Sequence, residues 1–136
     1  MTMSREELSA LVVCRIERAK ATLVEAEGVA KEGYWNLVAN RLYYATFYMV
    51  SALLLRHGYE SYTHSGARGL FGLHFVKTGI VEQDLLRLFS KLADFRQKGD
   101  YADFIEWCED DVIPLIEPTK RFIVNLEALC LGGEGA

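Results

Sequence analysis

One arginine, Arg41, stands in a mostly apolar and aromatic stretch, Trp35–Leu55. Tyr44 and Tyr48 follow Arg41 by three and seven residues, so the three side chains share one face of a helix. A charge in such surroundings needs a partner. Two interpretations stay open: Arg41 pairs with a carboxylate such as Asp100 and stacks on a tyrosine, or it binds an anion or phosphate in a cleft.

The segment Arg96–Tyr101 places an arginine, a carboxylate and a phenol near the end of a predicted helix. Arg96 follows Leu92 by four residues and therefore lies on the inward face of that helix. Asp100 and Tyr101 come directly after Gly99. Local ion pairing explains this group, and a polyanion that reaches the helix end is the alternative.

A third candidate is Thr63-His64-Ser65 at the predicted start of a helix. The free backbone N–H groups at such a start can bind a phosphate. Thr63 and Ser65 are also typical capping residues, so capping alone accounts for them. The remaining histidines are interpreted as a core residue, His74, and a residue at a helix end, His57.

The sequence predicts no metal site and no cofactor. Cys14, Cys108 and Cys130 are far apart, lack a Cys-x-x-Cys partner and have no neighbouring histidine at metal-ligand spacing. We therefore interpret them as reduced thiols.

Composition limits the classes of protein that this chain can belong to. Its 136 residues, 51% of them hydrophobic, suffice for one domain with a real core, expected over residues 1–136 with ordered residues about 4–131. A net charge of −4 without long charge runs does not favour a nucleic-acid-binding tail, so an RNA or nucleotide contact needs a local arginine and lysine cluster. Leu42–Leu55 is too short to span a membrane. With no export leader recognised, we expect a cytoplasmic protein without membrane contact.

The elements that must position these residues are helices, because only two prolines interrupt the apolar periodicity of three and four residues. The prediction is an all-α, antiparallel up-and-down bundle of four to five helices. Ser4 and Glu7 form a capping box, and Gly99 is expected to cap the fourth helix in a left-handed conformation. The predicted helices run from Ser4 to near Gly28–Gly33, from about Tyr34 to His57, from Thr63–Ser65 to Gly79, from about Val81 to Lys98, and from Glu109 to near Leu131.

Three further features of these helices lead to specific expectations. The second helix is apolar nearly all round, which predicts a second copy packed against it and hence a homodimer. Gly66, Gly69 and Gly72 share one side of the third helix, so a close approach of another element is expected there. Pro114 fits a first turn, whereas Pro118 is expected to kink or delay the last helix.

Four motifs in order along the chain carry a family resemblance: Arg-Leu-Tyr-Tyr-Ala at 41–45, Thr-His-Ser-Gly at 63–66, His-Phe-Val-Lys-Thr-Gly at 74–79 and Arg-Gln-Lys-Gly-Asp-Tyr at 96–101. Over about residues 4–130 the sequence resembles the HEPN domain, in its small stand-alone prokaryotic branch. The resemblance implies a four- or five-helix bundle that dimerises. It also implies a separate minimal nucleotidyltransferase as partner, in a toxin and antitoxin pair.

Active members of that family cut RNA without metal through an Arg-x-x-x-x-His motif late in the chain, which implies catalysis by proton transfer and phosphate stabilisation. Arg96 matches the arginine, but Asp100 and Tyr101 stand where the histidine would be expected. The leading hypothesis is a dimer that binds a nucleotide or RNA phosphate through Arg41, Tyr44, Lys77, Arg96 and Tyr101. The alternatives are an endoribonuclease toxin that uses Arg96 with His64 or Asp100, and a structural adaptor without catalysis.

Overall fold

In the computed structural model, which describes residues 3–101 and 105–132, five α-helices contain most of the described chain. A short π-helical turn, Gly72–Val76, follows the third helix directly. The helices are α1 (Arg5–Lys31), α2 (Trp35–Arg56), α3 (His64–Phe71), α4 (Gln83–Tyr101) and α5 (Glu109–Gly132).

Local sequence signals fix several helix ends. The capping box of Ser4 and Glu7 is confirmed, with the Glu7 N–H donating to Ser4 Oγ at 3.0 Å and the Ser4 N–H donating to Glu7 Oε1 at 2.9 Å. Thr63 caps α3 by accepting the Gly66 N–H at 2.9 Å. Gly33, Gly58 and Gly79 have φ values of 77°, 82° and 84°, which an L-residue rarely adopts, and each follows the end of a helical segment.

The helices alternate in direction, as contacts between them show. Arg15 on α1 contacts Ser51 on α2, while Glu25 further along α1 contacts Arg41, so α1 and α2 are antiparallel. Asn36 reaches Gly99 on α4, and Lys20 pairs with Glu127 on α5. The predicted all-α, up-and-down bundle is therefore confirmed, with α3 packed beside the long helices.

Helix α2 is the centre of this bundle and contacts α1, α3, α4 and α5. Much of its apolar surface is covered by the chain's own helices, with Leu42, Leu53 and Val50 fully buried, although Leu37 is 44% exposed. Four neighbouring helices therefore supply much of the cover for which a second chain was expected. The homodimer stays a prediction.

One predicted helix end was wrong, and Pro114 was assigned to the wrong turn of the last helix. Helix α4 continues through Gly99 to Tyr101, because Gly99 keeps a helical conformation and lies against the Trp107 indole. Helix α5 begins at Glu109, as predicted, but Pro114 lies beyond its first turn and Pro118 does not delay its start. Asp111 stabilises this start by accepting the Cys108 N–H at 3.0 Å, which lowers the pKa of the Asp111 carboxyl.

The three glycines of the third predicted helix do not share one close contact. A Cβ on Gly66 would lie 2.2 Å from Ser61 Oγ, whereas one on Gly72 would lie 3.4 Å from Leu86. A Cβ on Gly69 would meet nothing within 4 Å among the described residues. The expectation of a common close approach is wrong, since only Gly66 is tightly enclosed. Within residues 3–101 and 105–132, no helix has both the length and the apolar character that a membrane crossing requires.

Candidate anion-binding site

A cavity of about 510 Å³ opens between α2, α3 and α4. Helix α2 brings aromatic rings to it, α3 brings an imidazole and an arginine, and α4 brings a second arginine and further aromatic rings. The lining residues are Tyr43, Tyr44, His64, Ser65, Arg68, Phe89, Ala93, Arg96, Gln97 and Tyr101.

Tyr43 forms the buried floor of the cavity. It is 1% exposed and stacks with Phe89 of α4, with ring centroids 5.8 Å apart. Burial raises the pKa of its phenol to about 12, although the positive charges of Arg96 and Arg68 act in the opposite direction. The phenol is therefore uncharged at physiological pH, and both guanidinium groups lie near enough to influence it.

Arg96 projects from α4 across a set of tyrosine rings. Its Cζ lies 5.0 Å from the Tyr43 centroid, 5.6 Å from that of Tyr44 and 5.9 Å from that of Tyr101, all within cation–π range. Its Nε is buried and has no hydrogen-bond partner among the described residues. A buried donor without a partner is costly, so this atom indicates a site that an acceptor can occupy.

His64 and Tyr43 are directly joined. Tyr43 Oη lies 2.6 Å from His64 Nδ1, and the imidazole also stacks on Phe47 at 4.3 Å. Burial, and then the charge of Arg96, lower the pKa of His64, so the imidazole is mainly neutral at pH 7. If Nδ1 donates to Tyr43, the lone pair of Nε2 is free to accept a proton; if Tyr43 donates, Nε2 carries hydrogen and is a donor only.

The electrostatics of the cavity are positive in a chain of net charge −4. Arg68 and Arg96 both line it, and no carboxylate does so within the described part of the chain. Focused positive potential in a partly enclosed cleft attracts anions. Planar guanidinium groups with free N–H donors match the oxygens of phosphate or carboxylate.

The structure brings five of the sequence-predicted residues together in this cavity: Tyr44, His64, Ser65, Arg96 and Tyr101. Arg41 does not line it, and its Nη1 instead pairs with Glu25 at 3.1 Å while Asn40 accepts from its Nε and Nη2. Its Cζ still lies 5.4 Å from the Tyr44 centroid. Arg41 thus stacks on a tyrosine and pairs with a carboxylate, as the first of the two interpretations predicts. The carboxylate is Glu25 and not Asp100.

Asp100 and Lys77 also lie outside the cavity lining. The Asp100 carboxylate accepts a hydrogen bond from Asn40 Nδ2 at 3.0 Å. Lys77 follows the π-helical turn, thirteen residues after His64, and a helical rise of 1.5 Å per residue puts it roughly 20 Å along the axis. Of the two proton-transfer candidates weighed beside Arg96, only His64 lines the same cavity.

Sequence reasoning missed Tyr43 and Arg68. Arg68 follows His64 by four residues and so lies on the same face of α3, a spacing that could have identified it. Tyr43 stands in the motif at 41–45, but no sequence signal separates a core tyrosine from one at a cavity floor. Among the described residues, no group of three or more His, Cys, Asp or Glu could hold a metal ion.

The chain belongs to the HEPN domain family. The family pattern matches residues 12–129, which include all five helices in whole or in part and every residue of the cavity. The resemblance found in the four sequence motifs is therefore confirmed.

Relatives with similar sequences cover most of this chain. A protein of Thermotoga maritima named "UPF0332 protein" is 37% identical over 82% of this chain and 85% of its own length. Two proteins of Methanocaldococcus jannaschii carry the names "Putative toxin MJ0142" and "Putative toxin MJ0605". The first is 27% identical to this chain over 84% of this chain and 82% of its own length. The second is 35% identical over 72% of this chain and 70% of its own length.

Proposed function

We propose that this protein is the toxin component of a two-protein module and that it binds the phosphate of RNA or of a nucleotide in the cavity of Arg68 and Arg96. The observation that carries the proposal is the buried, unpartnered Nε of Arg96 in a cavity without described carboxylates. Phosphate supplies several acceptor oxygens in the geometry that two guanidinium groups can share.

The rings beside the arginines favour a nucleotide over a simple inorganic anion. Tyr44 and Tyr101 line the same cavity, and Tyr101 is 73% exposed although Arg96 lies over its ring. An exposed tyrosine beside a phosphate site offers a surface on which an unpaired base stacks. This combination is typical of single-stranded RNA recognition, in which the duplex does not hide the bases.

The partner and the assembly are further parts of the proposal. Two relatives carry toxin names, which supports a toxin role here. A separate minimal nucleotidyltransferase, encoded beside this chain, is the proposed antitoxin, and a homodimer is the proposed functional state. Co-expression of the adjacent reading frame, followed by affinity purification and mass measurement of the complex, tests both points. Recovery of a monomeric chain without the second protein would contradict them.

Binding is tested with a fluorescein-labelled RNA of eight nucleotides and fluorescence anisotropy. We expect binding at micromolar protein, a loss of roughly tenfold in affinity for Arg96→Gln and for Arg68→Gln, and a weakening of binding with added salt. Arg87→Gln is the matched control, because Arg87 is 72% exposed, pairs with Asp84 and lies outside the cavity. No binding by the parent protein, or equal losses in all three variants, would contradict the proposal and favour a structural adaptor.

A second candidate function, metal-independent RNA cleavage, is favoured by the place of His64. A mainly neutral imidazole lines the same cavity as two arginines, so it can take the proton of a ribose 2′-hydroxyl while the guanidinium groups stabilise charge on the phosphate. The test is incubation of purified protein with RNA in the presence of a chelator. Cleavage that both His64→Ala and Arg96→Ala abolish would establish this activity. If the protein binds RNA but leaves it intact, cleavage is refuted and phosphate binding is the function of the cavity.

A further inference from the structure

A second cavity, of about 260 Å³, lies one turn further along α2, where Phe47 and Tyr48 line it. It is enclosed by α1, α2, the connection at Tyr59–Ser61, and α3. Two arginines of α1 reach into it, and Glu60 is the one carboxylate among its described lining residues. Those residues are Arg15, Arg18, Phe47, Tyr48, Ser51, Leu54, Tyr59, Glu60, Ser61 and Ala67.

Arg15 is held in place at this cavity. Its Nη1 donates to Ser51 Oγ at 2.8 Å and to the Ser51 carbonyl at 3.4 Å, and its Nη2 lies 3.8 Å from Glu60 Oε1. The long separation from an exposed carboxylate makes a weak ion pair. Arg15 is therefore oriented by α2, while its charge is only partly compensated.

Arg18 has no such partner. Its Cζ lies 4.7 Å over the Tyr48 ring, and its guanidinium group makes no hydrogen bond or ion pair with any residue that the structure describes. Stacking on a tyrosine orients the guanidinium plane, and its N–H donors remain available to an acceptor. A guanidinium held flat in this way can bind a phosphate oxygen at its edge or a nucleobase on its face.

Aromatic contacts that run along α2 connect the two cavities. Tyr44 of the first cavity lies 5.9 Å from Tyr48 of the second, centroid to centroid. Phe47 of the second cavity stacks under His64 of the first at 4.3 Å. The rings form a continuous surface with arginines at both ends, as expected of a groove that binds successive nucleotides of a single strand.

We propose that the cavity of Arg15 and Arg18 is a second nucleotide subsite, which binds a neighbouring nucleotide of the single-stranded RNA whose phosphate occupies the cavity of Arg96. This inference rests on the proposed function. In this subsite the guanidinium groups bind a phosphate, and the base contacts the apolar wall that includes Phe47 and Leu54. A free phosphate ion would leave that wall in water, so a nucleotide is the better fit.

The experiment compares two probes, uridine monophosphate and an octanucleotide RNA, against Arg18→Gln, Arg96→Gln and the control Arg87→Gln. Arg18 is exposed on α1, and far-UV circular dichroism verifies that its variant folds. We expect Arg18→Gln to lower the affinity for the octanucleotide by roughly tenfold. The slope of log affinity against log salt concentration is expected to fall in magnitude by about 0.7, which corresponds to the loss of one phosphate contact on a single strand. Binding of uridine monophosphate in the cavity of Arg96 is expected to stay unchanged in this variant.

Arg96→Gln is expected to weaken both probes, which separates the two proposals. If it does so while Arg18→Gln leaves octanucleotide binding unchanged, the second subsite is refuted and the proposed function stands. If Arg18→Gln weakens both probes equally, the second cavity is not a separate subsite. If the parent protein binds neither probe, the proposed function is refuted, and so is the second subsite that rests on it.

Discussion

The hydroxyl of Tyr43 lies 2.6 Å from Nδ1 of His64, and this contact ties the imidazole of α3 to the most buried tyrosine of α2. Because Tyr43 also stacks with Phe89 of α4, three helices meet at one ring. The orientation of His64 therefore depends on the packing of the core. A residue at the mouth of the cavity is positioned from its floor.

Replacement of Tyr43 by Phe removes this hydrogen bond and keeps the ring. We expect the free energy of unfolding to fall by about 1 kcal/mol, the usual net value of one such bond. Urea unfolding followed by circular dichroism measures it. Tyr44→Phe is the control, because the Tyr44 hydroxyl makes no hydrogen bond within the described part of the chain; equal losses in both variants would contradict the expectation.

The lowered pKa of His64 predicts a pH dependence of stability. The unfolded chain binds a proton near pH 6.5, whereas burial and Arg96 keep the folded imidazole neutral to lower pH. Stability is therefore fully present above about pH 6.5 and falls as pH drops toward the folded-state pKa. His57 has a lowered pKa as well, so the comparison needs His64→Gln. Between pH 8 and pH 5.5, the parent is expected to lose more stability in urea than this variant does.

Arg41 and Arg96 contact the same tyrosine, but their variants are expected to differ. Arg41 is paired with Glu25 and Asn40 outside the cavity, whereas the Nε of Arg96 is unpartnered. We expect Arg41→Gln to lower the free energy of unfolding by about 1 kcal/mol and to change RNA affinity less than Arg96→Gln does. Anisotropy and urea unfolding on the same samples measure both quantities. Equal losses of RNA affinity in the two variants would contradict this expectation and indicate that Arg41 contacts the RNA.

Asn36 joins three parts of the chain with one side chain. Its Nδ2 donates to the carbonyls of Gly99 and Ile105 at 3.3 and 3.1 Å, and its Oδ1 accepts the Trp107 N–H at 2.7 Å. Asn36→Ala leaves these backbone groups without their partner, which we expect to cost about 2 kcal/mol. The tryptophan emission spectrum is expected to shift toward the red as Trp107 gains access to water. Asn125→Ala, at an exposed position of α5, is expected to change neither quantity.

Two glycines of one helix predict opposite effects of alanine. A Cβ at Gly69 meets open space, and the better helix propensity of alanine is expected to raise the free energy of unfolding by about 0.5–1 kcal/mol. A Cβ at Gly66 displaces Ser61 Oγ, which accepts the Thr63 N–H, and crowds the capping oxygen of Thr63. We expect Gly66→Ala to lose about 1 kcal/mol. The same sign in both variants, measured by thermal unfolding, would contradict this account.

Local signals made the helices predictable. Periodicity identified all five, the pair Ser4 and Glu7 identified one start, and Gly58 and Gly79 identified two ends because their positive φ values suit glycine. Gly99 does not mark a helix end, because its lack of a side chain allows close packing against Trp107. A glycine in a sequence does not reveal whether the chain needs its conformational freedom or its small size.

The cavity was predictable only in part. Four residues of the cavity were predictable because they are charged or aromatic residues on a predicted inward face or at a predicted helix end: Arg96, His64, Tyr44 and Tyr101. The partner of Arg41 depended on which helix lies beside α2, and that neighbour is α1 with Glu25, not the region of Asp100. The second cavity has no sequence signature, because its arginines on α1 look like ordinary solvent-facing residues until α2 places Tyr48 beneath one of them.

The central position of α2 has a consequence for how this protein tolerates mutation. The rings that shape both cavities belong to the helix that holds the bundle together, so substitutions at Tyr43 or Phe47 will reduce the amount of folded protein in a cell along with its binding. Substitutions at Arg18, Arg68 or Arg96 remove charge from the periphery and leave the framework in place. In a saturation library scored separately for abundance and for RNA retention, the two scores should fall together along α2 and diverge at these arginines.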